Sequence, residues 1–146
     1  MYGIYERAIA RKIANVFEIA GEKGFDETKF TKAWLLSDTA NLLYTYDFNA
    51  VSQSPLYHYN SFVMEYGNID DLYQDEPYIN DDIMYWGGYL FSCWIFIDDI
   101  KGKDIVNNYD IQKILLCYDT LHTVSVKVAI DMIKKDFVLL QDKKIA

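Results

Sequence analysis

The stretch Ile83-Met84-Tyr85-Trp86-Gly87-Gly88-Tyr89-Leu90-Phe91-Ser92-Cys93-Trp94-Ile95-Phe96-Ile97 carries fifteen residues without a charge. As a helix it spans roughly 22 Å, short of the ~30 Å hydrocarbon layer of a bilayer. Acids flank it on both sides (Asp81, Asp82, Asp98, Asp99), with no basic bias to orient it in a membrane. It therefore reads as a buried central helix, apolar all round and enclosed by others. Asn80, Asp81 and Asp82 begin it, with carboxylates at the positive end of the helix dipole. The Gly87-Gly88 pair is costly inside a helix and predicts a close crossing or a kink.

Working outward, apolar residues keep helical spacing on both sides. Tyr2, Tyr5, Ile9, Ile13, Val16 and Ala20 share one stripe of a helix over 2–22, with Arg7, Arg11, Glu18 and Glu22 opposite. Gly21 and Gly24 mark its end. Asp26 caps a helix running to Leu36, and Ser37 with Asp38 caps a short one through Tyr46. Residues 47–53 read as loop. Ser54-Pro55 is a strong helix start, with the stop at Gly67-Asn68. Residues 69–79, acidic and containing Pro77, read as a surface connection. Beyond the central helix come a short helix over 103–108 and one helix from Asp110 to His122 with Ile111, Ile114, Leu115, Tyr118 and Leu121 inward. Ser125 caps the last, where Val126, Ile130, Ile133, Phe137 and Leu140 face in, and residues 141–146 form a frayed tail. Nothing alternates as a strand does, nothing repeats, and no linker divides the chain. The expectation is an all-α, single-domain bundle of six to seven helices around the central one.

The 146 residues carry a net charge of -8, and its distribution is uneven. Both ends are close to neutral, but residues 33–100 hold eleven acids, nine of the thirteen tyrosines and no Lys or Arg. This argues against direct nucleic-acid binding, which needs basic residues to neutralise phosphate. Two cysteines and two histidines leave little material for a metal site, and no pair keeps ligand spacing. The thiols of Cys93 and Cys117 read as reduced. With no signal peptide in the first residues, the expected compartment is the cytoplasm. No catalytic motif or cofactor-binding loop is assembled. His122, four residues after Tyr118 and three after Asp119, reads first as a core or boundary histidine, and His58 as a surface one.

Binding is better supported, since tyrosines supply interface anchors and acids select the partner's charge. The densest mixture is Tyr73, Asp75, Glu76, Tyr78, Asp81, Asp82 and Tyr85, the expected surface for a basic protein partner. Two readings compete with it. One is a phage-type inhibitor whose carboxylates mimic nucleic acid; the other is an enzyme using His122.

Taken as a set, Tyr85-Trp86-Gly87-Gly88-Tyr89-Leu90, Trp94, Ile105, Tyr118, His122-Thr123 and Ala129-Ile130-Asp131, with Leu36-Ser37-Asp38-Thr39, Leu43-Tyr44 and Ser54-Pro55, resemble small uncharacterised, antitoxin-like proteins of gut Firmicutes encoded beside ADP-ribosyltransferase-like proteins. The chain departs from them at Ser92-Cys93 and at Lys101-Gly102-Lys103, so contacts at those places are not carried over. The resemblance, which rests on no invariant catalytic residue, implies an accessory role, the binding and neutralising of a neighbouring gene's product.

Overall fold

Gly88 is where the two longest helices meet. α1 (Ile4–Glu22) crosses α6 (Asp81–Asp98) so closely that a Cβ on Gly88 would lie 2.7 Å from the ring of Phe17. A Cβ on Gly21 would lie 2.9 Å from the Asn80 side chain and 3.1 Å from Met84. Of the crossing and the kink that the glycine pair predicts, the crossing is what forms. The computed structural model describes residues 2–75 and 80–139, and the expected frayed tail and Leu140 lie outside them.

Between these helices the order is α2 (Glu27–Leu35), α3 (Asp38–Tyr44), α4 (Phe48–Val51), α5 (Pro55–Tyr66) and a 3-10 turn at Ile69–Leu72. After α6 come α7 (Gly102–Asn108), α8 (Ile111–Leu116), α9 (Tyr118–Leu121) and α10 (Val126–Asp136). The chain is all-α; among the described residues the only β features are isolated bridges, Phe25 to Tyr73 and Tyr109 to Val138. The expected caps all operate: Asp26, Ser37, Ser54 and Ser125 each accept the backbone N–H three residues on.

The core is continuous from α1 to α10 and heavily aromatic. Phe17, Phe30, Trp34 and Phe62 meet ring to ring at centroid separations of 4.9–6.3 Å, and Phe25 joins them through Phe30. Trp94 stacks with Phe91, meets Tyr109 edge-on at 4.7 Å, and donates its indole N–H to Asp98. At the first point of departure from the resemblance, Ser92 is buried and bonded to the Tyr44 hydroxyl at 2.9 Å. At the second, the Asp104 carboxylate caps α7 by accepting the Lys101 N–H.

Four expectations are corrected. Tyr5 does not join the α1 stripe; it is exposed and stacks on Tyr46, while Ala10, Ala14 and Phe17 widen the buried face instead. The segment read as loop over 47–53 contains α4, because Asp47 accepts the Ala50 N–H and Lys12 of α1 donates to the Val51 and Gln53 carbonyls at 2.6 Å. The single helix expected over 110–122 is broken at Cys117 into α8 and α9, which lets Leu115 seat against Gly87 while Tyr118 reaches Trp86. Finally, α6 is not enclosed all round: Leu90 to Phe96 are buried, but Tyr85, Trp86 and Tyr89 stay half-buried on one side. No described helix is long and apolar enough to cross a membrane.

Candidate functional site

The uncovered side of α6 is a stripe of its own. Asp82, Tyr85, Trp86 and Tyr89 recur at helical spacing, so their side chains project to one face. That face floors an open cleft of about 450 Å³. Glu18 of α1 closes one wall, and Tyr118 with His122, at the two ends of α9, closes the other.

The rings meet in a corner. Trp86 and Tyr118 lie edge to face, with centroids 5.4 Å apart and planes at 73°. His122 then stacks flat on Tyr118, at 4.3 Å and 11°. Its Nδ1–H donates to the Tyr118 carbonyl at 2.7 Å, which holds the imidazole parallel to the phenol.

The charge around this corner is negative. Glu18, Glu22 and Asp81 bring carboxylate oxygens within 4.8 Å of one another, and Asp82, the next residue on α6, faces the cleft itself. Partial burial, then the like charges of Glu22, Asp81 and Asp82, push the Glu18 carboxyl above its ordinary value. No Lys or Arg lines the cleft among the described residues, although the charge of Arg11 is felt at Tyr89. A second, smaller hollow lies across Tyr118, lined by Asp26, Glu27, Ile83, Leu116 and Asp119 among others, so acids continue past the ring.

Of the surface expected from the sequence, Asp82 and Tyr85 line this cleft and Asp81 borders it. Tyr73 does not: it packs edge-on against Phe25 at 4.6 Å, within the bridge that ties residues 72–74 to the end of α1. Asp75 is exposed, and Glu76 and Tyr78 lie outside the described residues. The reading missed Glu18, Trp86, Tyr89 and Tyr118. The signal for three of these was present in the stripe 82, 85, 86, 89 and the pair 118, 122, both at helical spacing.

The two histidines are also exchanged relative to expectation. His122 is exposed at the cleft, whereas His58 is buried, its proton affinity lowered by burial and then by Lys12. Cys93 is buried and Cys117 half-buried, both free thiols, and the Tyr2 hydroxyl donates to the Cys93 sulfur at 3.4 Å.

Several acids of the middle segment have structural duties. Glu65 of α5 accepts the Asp38 N–H, the Thr39 N–H and the Thr39 hydroxyl at 2.7–2.9 Å, adding a second cap to α3 beside Ser37. Asp98 takes the Trp94 indole and Lys134, each at 2.9 Å.

No protein family, no curated protein and no solved structure matches the chain.

Proposed function

We propose that the protein is a non-enzymatic, antitoxin-like interaction module that docks a basic partner protein on the face around this cleft. The observation that carries the reading is the cleft itself, where four aromatic rings and an imidazole meet two carboxylates with no basic side chain among the lining residues. Half-buried tyrosine and tryptophan give large contact area at low entropic cost, and the negative field of the lining carboxylates orients a basic partner before contact. The partner expected from the resemblance is the product of an adjacent gene, whose function this module would block.

Co-expression with that neighbour tests the reading. A complex that co-elutes on gel filtration, with relief of toxicity, supports it; separate elution with undiminished toxicity overturns it.

The nucleic-acid mimic draws less support from the fold. Asp47 and Glu65 cap helices, Asp98 is paired, and Asp98-Asp99 lie roughly 25 Å along α6 from Asp81-Asp82. An enzyme using His122 is favoured by one observation, that this residue lines an open cleft beside Glu18 and Asp82. No hydroxyl or thiol nucleophile is hydrogen-bonded to His122 among the described residues to extend that into a mechanism.

A further inference from the structure

We propose that the cleft between α1, α6 and α9 receives a guanidinium group, an arginine side chain of the partner, with Trp86 and Tyr118 framing its plane and the carboxylates of Glu18 and Asp82 accepting its N–H groups. This deepens the reading above by naming the residue type that the face recognises, and it rests on that reading for the partner being a protein.

Three features of the site select this occupant. The lining combines π faces with carboxylates, and a cation over a Trp or Tyr face is attracted by the ring quadrupole. The carboxylates come from different elements, Glu18 from α1 and Asp82 from α6, so a ligand offering donors along several edges can meet both. Guanidinium is planar, weakly hydrated and carries five donors in a fixed fork, whereas an ammonium is compact and strongly hydrated. A quaternary ammonium has no donor for either carboxylate. The two rings stand at 73°, so a flat group laid on one of them meets the other edge-on. At about 450 Å³ the cleft has room for the arginine stem and its neighbouring residues as well as the head group.

The crowding of carboxylates supports the same occupant. Burial, then the like charges of Glu22, Asp81 and Asp82, make Glu18 hold its proton more tightly than usual, and an incoming cation relieves the repulsive part. The groups facing it from the other elements are the phenols of Tyr85, Tyr89 and Tyr118 and the His122 imidazole.

The test is an NMR titration of the intact chain with N-acetyl-arginine amide, beside N-acetyl-citrulline amide, its neutral near-isostere, and N-acetyl-lysine amide. Trp86 is the half-exposed tryptophan at the cleft, while Trp34 and Trp94 are buried, so three indole N–H signals report site and fold separately. The expected result is a saturable shift of the Trp86 indole with the arginine compound. Lysine should act several-fold more weakly and citrulline hardly at all. Asp82→Asn should weaken the arginine effect several-fold while the Trp34 and Trp94 signals stay in place. An equal response to citrulline, a Trp86 signal that never moves, or an Asp82→Asn protein that responds like wild type overturns the proposal. Failure of the wider reading looks different: arginine uptake without any partner complex refutes the module and leaves the cleft's chemistry standing. A complex that survives Asp82→Asn and Trp86→Ala unchanged does the reverse.

Discussion

Glu18 and Glu65 show how one side-chain type takes opposite roles in this fold. Burial and three like charges raise the Glu18 carboxyl above its ordinary value. At Glu65 burial also acts upward, but hydrogen bonds from Asp38 and Thr39 outweigh it and hold the carboxyl below the usual range. The linkage signs are therefore opposite. The native chain binds a proton at Glu18 more readily than the unfolded chain, so this group costs stability as pH rises through the raised value. Glu65 adds stability above its unfolded value and loses it as pH falls through the lowered one. Urea denaturation between about pH 3 and pH 8 checks both. Glu18→Gln is expected to exceed wild type in stability near neutrality and to converge with it on acidification. Glu65→Gln should fall below wild type near neutrality, by less than about 1 kcal/mol since it is an exposed cap, and converge at low pH. Neither role was legible from composition, where Glu65 counted as one more acid of a tyrosine-rich segment and Glu18 as a residue of a near-neutral end.

At the scale of elements, α6 was legible in existence, start and extent, because fifteen uncharged residues bounded by acids leave few alternatives. Its orientation was less so. Uniform hydrophobicity conceals which side is covered, and only the stripe of Asp82, Tyr85, Trp86 and Tyr89 marks the side left open. The close approach of α1 requires that Gly88 carry no side chain. Gly88→Ala would drive its methyl into the Phe17 ring, and neither helix can withdraw without loosening the aromatic core behind it. A loss of roughly 1–3 kcal/mol is expected, read as a lower urea midpoint with the slope unchanged. An unchanged midpoint would mean that α1 and α6 are held apart more loosely than this geometry. The break at Cys117 and the short helix α4 lay beyond local pattern for a related reason. One exists to seat Leu115 and Tyr118 on α6, the other because Lys12, some forty residues away, takes its terminal carbonyls.

For the whole molecule, the charge asymmetry acquires a direction. Acids from α1 and α6 border one aromatic corner, while Asp26 in the hollow beyond Tyr118, Glu65 and Asp98 serve caps or an ion pair. Binding of a basic partner to this face should depend on salt mainly through association: the on-rate falls steeply as ionic strength rises, while the off-rate changes little. Surface plasmon resonance at several salt concentrations checks this, and a salt-independent on-rate would count against charge-led docking. By itself, the sequence determined the helical class, nearly every helix start and the identity of the central helix, because caps, glycines and apolar spacing act within a few residues. Only the tertiary structure decided where the acids and rings converge. That site takes Glu18 from one helix, the 82–89 stripe from another and Tyr118 and His122 from a third; the glycine pair announces a close crossing, but which helices meet there is set by packing between segments far apart in sequence, which no local pattern encodes.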